Sequence, residues 1–174
     1  TIEQKGKEHT YTPDSRELQN DSLLLDGGTD GIAIPSIERA QNPPVYYGTL
    51  EIKKTAQGLL IINELSLEAY LEAVVPSEMP ASYEEQALMA QAVCARTYAV
   101  CQIQENSLEK YGADVDDSVN YQVYGNFNST ARTNQAVQNT RGQILCQNGR
   151  PVTAYYFSTS AGVTSTDEIW GADR

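Results

Sequence analysis

The feature that most constrains how this 174-residue chain can fold is a long helical pattern between residues 82 and 105. Small and apolar side chains recur at intervals of three and four along it, so they share one narrow face that permits close packing. They are Leu88, Ala92, Ala95 and Ala99. Ser82 is followed three residues later by Glu85, which predicts a capping box at the start of the helix.

Strand patterns lie on both sides of this helix and predict two hairpins. The runs YYGTLEIKK and LLIIN are joined by a turn near Gln57 and Gly58, which is typical of a hairpin. The runs GQILC and PVTAYYFSTS flank Asn148 and Gly149, and an Asn-Gly pair between strand-like runs is a strong hairpin signal.

Two shorter helices and a polar N-terminal stretch complete the predicted architecture. LSLEAYLEAVV has helical spacing and ends at Pro76, because a proline disfavours helical backbone in the residue before it. Residues 130–139 indicate a brief helix that ends near Gly142. Residues 1–44 are polar and broken by DGGTDG and NPP, and only SLLLD and GIAIP look able to pack. This predicts a polar irregular extension with one or two short strands, ahead of a domain over residues 45–174. Strands, then helices, then strands predict the α+β class.

The composition limits the classes of partner. The formal charge is −11, from 23 acidic and 12 basic residues, and an acidic chain without a basic stripe is a poor candidate for binding nucleic acid. No apolar run approaches the roughly 20 residues needed to span a bilayer. The 11 tyrosines suit a surface that meets sugars or peptides, since each offers an apolar face and a polar tip. Alternatively, they line strands at the edges of the core.

The cysteines and the histidine favour neither a metal site nor a redox site. Cys94 and Cys101 lie about 10 Å apart by helical rise on the predicted helix, which exceeds the roughly 7 Å between Cα atoms that a disulfide tolerates. Cys146 could bridge to either of them, but buried free thiols are the favoured interpretation. There is no CxxC pair, and His9 is the single histidine. We therefore predict no metal or cofactor, and chemistry that runs on carboxylates.

The stretch VVPSEMP places one carboxylate, Glu78, between Pro76 and Pro80. The two prolines restrict the backbone on both sides, which lowers the entropy cost of fixing the side chain. The sequence neighbours are apolar, and an apolar setting favours the protonated form of a carboxyl group, as a general acid requires. The alternative is that Glu78 caps the following helix or pairs with a surface base.

Arg96 is the second unusual residue, because it interrupts an alanine-rich helix. If its side chain faces the core, it needs a partner, since an unpaired buried charge is strongly destabilising. One interpretation is a buried structural ion pair. Whether Arg96 contacts Glu78 depends on how the preceding loop folds back, which the sequence leaves open.

Five segments, in order, carry a resemblance to a known family. They are INELSLEAYLEAVVPSEMP, EEQALMAQAVCARTYA, NYQVYG, AVQNTRGQILCQNGRPVTAYYFSTSAGVTS and IWG, within a stretch from about Tyr46 to Gly171. The chain resembles the stage II sporulation protein D family, which implies strand hairpins packed with a long central helix and shorter helices around a substrate groove. The family continues beyond IWG, so we expect the domain to be incomplete at its C-terminus.

The resemblance implies a lytic transglycosylase that cuts bacterial peptidoglycan between N-acetylmuramic acid and N-acetylglucosamine, with a 1,6-anhydro product. Glu78 would be the catalytic acid and base, because it occupies the single glutamate of the family motif. Arg96 matches the arginine of the family's long helix and would hold the groove together or stabilise charge on the substrate. Other matches fall on stretches that line the family's groove. They are Tyr121, Gln122, Tyr124, Ser158, Ser160, Gly162 and Thr164.

The resemblance also implies partners and a location. We expect peptidoglycan glycan strands as substrate, and a cell-wall amidase and other engulfment proteins of sporulation as partners. The location would be extracytoplasmic, at the outer face of the cytoplasmic membrane, through an anchor upstream of this chain. The alternative function is a non-catalytic peptidoglycan-binding module that stimulates a partner amidase.

Overall fold

In the part of the chain that it describes, the computed structural model contains four α-helices and nine short β-strands. The described residues are 1–4, 6–12, 14–20, 22–38, 43–118, 120–125, 128–157, 160 and 162. The helices are α1 (Arg16–Asn20), α2 (Leu67–Glu78), α3 (Glu85–Glu105) and α4 (Ala131–Asn139), with a 3₁₀ turn at Glu109–Tyr111. The strands are β1 (Ile2–Gln4), β2 (Lys7–His9), β3 (Leu23–Asp26), β4 (Ile32–Ala33), β5 (Val45–Tyr46), β6 (Thr49–Thr55), β7 (Gly58–Glu64), β8 (Cys146–Gln147) and β9 (Arg150–Pro151).

A three-stranded antiparallel sheet in the order β3-β6-β7 forms one layer of the fold. β6 and β7 form the hairpin that the sequence predicts, with Ala56 and Gln57 in the turn. β3 pairs with β6 and places Leu25 opposite Leu50. β3 and β4 lie in SLLLD and GIAIP, where the sequence predicts short strands. The N-terminal stretch is nevertheless more regular than predicted, because it also contains β1, β2 and α1. The boundary after residue 44 stays a prediction.

The core lies where α2, α3 and α4 pack on one another and on the sheet. The small face of α3 is buried as predicted. Its Leu88, Ala92 and Ala95 are 0% exposed, and Ala99 is 2% exposed. Small side chains let the neighbouring helices approach closely, and Leu71, Val74 and Val137 fill the space between them. The predicted α+β class is confirmed.

α3 begins later than the sequence predicts. The helix starts at Glu85 with Glu84 as its N-cap residue, and no side chain caps it. The predicted capping box between Ser82 and Glu85 is therefore wrong. The reason is a turn just before the helix, in which the N–H of Tyr83 donates to the carbonyl of Pro80 at 3.0 Å. This turn leaves Ser82 outside the first helical turn.

The second hairpin lies at the predicted place but is short. β8 and β9 pair over two residues each. Asn148 and Gly149 form the turn between them with φ angles of 51° and 75°, the left-handed pair that the Asn-Gly turn requires. Just before this hairpin, α4 begins after Thr130, whose side chain accepts a hydrogen bond from the N–H of Thr133. The chain beyond β9 runs back along α3 without strand pairing in its described residues.

Candidate active site

Glu78 is the last residue of α2, because the helix continues through Pro76. The prediction that Pro76 ends the helix is therefore wrong. Proline removes one N–H from the helical ladder, but other bonds hold the last turn. The Ser77 hydroxyl donates to the Ala73 carbonyl at 2.7 Å, and the N–H of Gly125 donates to the same carbonyl at 3.4 Å. Glu78 thus extends from a helix end and not from a loop.

Two downstream segments hold the carboxylate of Glu78. The side chain is half-buried, and its Oε1 accepts a hydrogen bond from the backbone N–H of Val123 at 2.8 Å. The hydroxyl of Tyr156 lies beside the same carboxylate and interacts with it. A hydrogen bond to an ionised group is a strong one, so the N–H of Val123 fixes the direction of the side chain.

Gln122 connects this carboxylate to the core. It is 1% exposed, and its Nε2 donates to the Tyr156 hydroxyl at 2.9 Å and to the Ala95 carbonyl at 3.3 Å. Its Oε1 accepts from the Tyr70 hydroxyl at 3.2 Å. A buried amide with both ends satisfied has only one orientation. The result is a chain of contacts from Tyr70 through Gln122 and Tyr156 to Glu78.

Tyr156 stays neutral in this chain of contacts. Burial raises the pKa of its hydroxyl, the hydrogen bond from Gln122 lowers it, and the negative charge of Glu78 raises it further, with a net upward shift. The hydroxyl therefore keeps its proton at physiological pH. Because its oxygen accepts from Gln122, its O–H is available to donate to the carboxylate of Glu78.

Tyr124 lies in the core and not on an open surface. It is 5% exposed, and its ring stacks on those of Tyr46 and Tyr70, with centroid distances of 6.0 and 5.4 Å. Its hydroxyl donates to Oδ1 of Asn63 at 3.2 Å. In this position the ring of Tyr124 supports the ring of Tyr70.

The other residues matched to the family groove have different surroundings. Tyr121 is half-buried, and its hydroxyl shares a 3.0 Å hydrogen bond with a serine just beyond α3. Ser160 and Gly162 are exposed, and the N–H of Gly162 donates to the Ser160 hydroxyl at 3.2 Å. Ser158 and Thr164 lie outside the described residues.

Arg96 forms a buried ion pair with Glu68. This is one of the interpretations that the sequence allows. It is 1% exposed, and its Nε and Nη2 donate to both carboxylate oxygens of Glu68 at 3.0 and 2.8 Å. Further bonds reach the carbonyls of Val137 at 3.1 Å and Gln143 at 3.2 Å. The guanidinium therefore ties α2, α3, α4 and the following loop together, and its described contacts do not include Glu78.

This ion pair predicts a loss of stability in acid. Burial raises the pKa of Glu68, but hydrogen bonds from Arg96 and the N–H of Gly142 more than offset it, so the pKa lies below its ordinary value. Such a group stabilises the fold above its unfolded pKa of about 4.3 and loses that contribution as pH falls through the folded value. We expect the free energy of unfolding, from urea titrations between about pH 7 and 3, to fall more steeply for the wild type than for Glu68→Gln. Parallel pH profiles would contradict this.

Sequence reasoning missed three groups of the site, namely Tyr156, Tyr70 and the N–H of Val123. Tyr156 stands in the run AYYFSTS, which the resemblance included, but nothing in its neighbours marks it apart from Tyr155. The backbone donor has no sequence signal, since any residue at that position offers an N–H. Glu68 was also missed as the partner of Arg96, although a buried arginine in a helix predicts an acid on a neighbouring helix.

The described residues contain no group of three or more metal-ligating side chains close enough to hold an ion. The three cysteines are free, and burial raises the pKa of the thiols of Cys94 and Cys101. Cys101 is buried, Cys94 is half-buried and Cys146 is exposed, so the expectation of buried thiols holds fully only for Cys101. Among the described helices, none is both long and apolar enough to cross a membrane.

An open groove of about 850 Å³ lies beside the site, between β7 and the segment that follows α3. Tyr70 and Tyr124 form part of its wall, whereas Glu78, Gln122 and Tyr156 do not line it. The groove and the carboxylate are therefore separate features, connected through the hydrogen bond from Tyr70 to Gln122.

Comparison with known proteins gives consistent matches. A profile of the stage II sporulation protein family matches residues 55–146. The amidase enhancer of Bacillus subtilis is 38% identical over an alignment 185 residues long, and the match covers 89% of this chain and 25% of the relative. Stage II sporulation protein D of the same organism is 37% identical over 123 residues, and the match covers 63% of this chain and 36% of the relative. An uncharacterized protein of Brachyspira hyodysenteriae is 36% identical over 144 residues, and the match covers 82% of this chain and 37% of the relative.

This chain spans only 25% to 37% of the length of these relatives. The profile match covers more than half of the chain and includes α2, α3 and α4, and with them Glu78, Arg96 and Gln122. The resemblance seen in the sequence motifs is confirmed. This chain belongs to the stage II sporulation protein D family.

Proposed function

We propose that this chain carries the catalytic centre of a peptidoglycan lytic transglycosylase, with Glu78 as its acid and base. The setting of Glu78 is the observation that supports this most. The carboxylate lies half-buried at a helix end, with a backbone donor at 2.8 Å and a neutral tyrosine beside it. A carboxyl group that transfers protons needs a fixed direction. The relatives' names refer to sporulation and to an amidase, which supports a role in the cell wall during engulfment.

The proposed reaction conserves all atoms of the glycan. Protonated Glu78 gives its proton to the glycosidic oxygen between N-acetylmuramic acid and N-acetylglucosamine, and the bond from C1 of the muramic acid to that oxygen breaks. The N-acetylglucosamine leaves with a hydroxyl. The carboxylate then takes the proton of the muramic acid 6-hydroxyl, whose oxygen forms a bond to C1. The product carries a 1,6-anhydro ring, and Glu78 ends protonated, as it began.

A single carboxylate is enough for this route. Hydrolysis of a glycosidic bond normally uses two, the second as nucleophile or as the base that activates water. In the proposed reaction the nucleophile belongs to the substrate, so proximity replaces a second protein group. Among the described residues, the groups that interact with Glu78 are the N–H of Val123 and the hydroxyls of Tyr70 and Tyr156. None of them is a carboxylate.

The other matched residues divide by their exposure. Those with accessible surface would contact the glycan strand, and they are Tyr121, Ser160 and Gly162. Gln122 and Tyr124 are buried and would support Glu78 and the wall beside it. Arg96, at 1% exposed, would act as the scaffold that holds α2 in place.

Replacing Tyr156 with phenylalanine tests whether its hydroxyl positions Glu78. A hydrogen bond to a charged group contributes about 1.5–3 kcal/mol, so we expect the cleavage rate to fall by about tenfold to a hundredfold. Because this contact acts on the reacting group and not on the binding of the glycan, kcat should fall while KM stays unchanged. Tyr155→Phe is the matched control, since that side chain is 52% exposed. A slower variant with a raised KM or a lowered melting temperature would indicate a structural role only.

The products of digestion test the proposed reaction. Purified glycan strands are incubated with the chain alone, and the new ends are examined by mass spectrometry. An internal nucleophile gives 1,6-anhydro ends, which are about 18 Da lighter than hydrolysed ends because no water is added. Hydrated ends as the main product would leave Glu78 as an acid and would exclude the transglycosylase.

A second candidate function is a non-catalytic peptidoglycan-binding module that stimulates a partner amidase. The observation that favours it is the 38% identity to a relative named amidase enhancer, over 89% of this chain. Cleavage of purified glycan strands by the chain alone distinguishes the two functions. A module of this kind would leave purified glycan strands intact and would raise the activity of an added amidase. Both functions place the chain outside the cytoplasmic membrane, where peptidoglycan lies.

A further inference from the structure

We propose that the groove between β7 and the segment after α3 binds an extended, cationic segment of a partner protein, which adds as a strand to the free edge of β7. Three observations support this: an apolar lining, an unpaired sheet edge and an acidic rim. The groove does not contain Glu78, so this inference goes beyond the proposed function and does not depend on it.

The lining of the groove is largely apolar and in part exposed. Leu60 and Ile62 of β7 form one side. Ile103 and Tyr111, each 44% exposed, form the other, and Leu24 is 64% exposed at the end. Apolar side chains gathered in an open groove indicate a binding surface, since single exposed apolar residues elsewhere need no explanation. The volume of about 850 Å³ lies within the range of roughly 300–1,000 Å³ typical of ligand sites.

One edge of β7 is available for pairing. β7 is the outer strand of the sheet β3-β6-β7, and no described strand pairs with its other side. The segment 108–117, which forms the opposite wall of the groove, makes no backbone hydrogen bond to β7. An exposed strand edge offers a row of unpaired N–H and C=O groups that an extended peptide can bind. The apolar side chains beside the edge would then provide pockets for alternate residues of that peptide.

The charge of the groove selects a cationic partner. Five carboxylates line it, and none of its lining residues is a lysine or an arginine. Glu51 is paired with Lys53, and Asp117 accepts from Tyr46. Glu64, Asp114 and Asp116 form no salt bridge with any described residue. A segment that alternates lysine or arginine with apolar residues would match both the rim and the lining.

Binding of synthetic peptides tests this directly. The probes are a ten-residue peptide of alternating lysine and valine, its glutamate–valine counterpart, and a lysine–valine peptide N-methylated at every second residue. We expect the first to bind at least about tenfold more tightly than the other two, because one lacks the charge and the other the backbone donors. Amide chemical shifts should change in β7 and in residues 108–117. Raising the salt concentration should weaken binding, since the rim is exposed.

Two variants locate the site. Asp114→Asn with Asp116→Asn should weaken binding of the lysine–valine peptide at least about fivefold. Glu3→Gln with Glu8→Gln, on the exposed β1–β2 hairpin, makes the same change in net charge and should leave binding unaltered. Glu78→Gln should also bind normally, which separates this inference from the proposed function.

Three results would overturn the proposal. If the two double variants lost binding of the peptide equally, the effect would be one of net charge alone. Equal binding of the N-methylated peptide would exclude strand addition. Chitin oligosaccharides that shift the same amides and displace the peptide would make the groove a glycan site.

Discussion

Replacing Glu78 with glutamine is expected to abolish cleavage of purified glycan strands and to leave the fold intact. Losing a general acid costs about 10²–10⁴ in rate, and the same group would also serve as the base, so we expect the upper part of that range. Glutamine keeps an oxygen that can accept from the N–H of Val123 at the same place. The free energy of unfolding should therefore change by less than about 1 kcal/mol. Chromatography of released fragments and circular dichroism measure the two effects.

The control for this variant is Glu84→Gln. Glu84 is an exposed acid at the start of α3, and its side chain makes no capping bond. Its replacement makes the same change in charge near the same helix pair, and we expect a normal rate. An unaltered rate in Glu78→Gln, with normal circular dichroism, would remove Glu78 from the mechanism. A low rate with a lowered melting temperature would show damage to the fold instead.

Replacing Arg96 with methionine is expected to have the largest effect on stability. The change removes the cation beside the half-buried Glu68, which keeps only the N–H of Gly142 as a donor among the described residues. It also removes the hydrogen bonds from Arg96 to the carbonyls of Val137 and Gln143. Removing one partner of a buried ion pair typically costs about 3–5 kcal/mol. A domain of this size has only about 5–15 kcal/mol of total stability, so the variant should unfold at much lower denaturant concentrations. Urea unfolding followed by circular dichroism measures the difference.

A double variant distinguishes the ion pair from the volume of the side chain. With Arg96→Met and Glu68→Leu together, no buried charge is left unpaired, and such apolar replacements are often neutral. We expect most of the lost stability to return. Arg150→Met, at an exposed position of the second hairpin, should change the free energy of unfolding by less than about 0.5 kcal/mol. A single Arg96 variant as stable as this control would show that the ion pair contributes little.

The elements that the sequence predicts well are those whose signals are local. The β6–β7 hairpin follows from strand-like runs on both sides of a short turn. The buried face of α3 follows from the spacing of Leu88, Ala92, Ala95 and Ala99. The prediction of Glu78 also rests on local signals, its two prolines and its apolar neighbours, and its catalytic role stays a prediction. In each case the deciding residues lie within one or two turns of each other.

The features that were missed depend on contacts between distant segments. α2 passes through Pro76 because Ser77 and the N–H of Gly125 stabilise its last turn, and only the former is a neighbour in sequence. The pairing of β3 with β6, though not the strand in SLLLD itself, joins segments that lie far apart in the sequence. Arg96 finds its partner on another helix. Periodicity within one segment contains no information about such pairings.

The hydrogen bonds that organise Glu78 also have a kinetic consequence. They join positions 45 residues apart between Glu78 and Val123, 34 between Gln122 and Tyr156, and 52 between Tyr70 and Gln122. Contacts of such long sequence separation form late in folding, because the intervening chain must first be ordered. α2 and α3 are adjacent in sequence and can pair early. A partly folded chain would therefore carry its glutamate on a formed helix but without its partners, so that cutting activity would arise only as folding is completed.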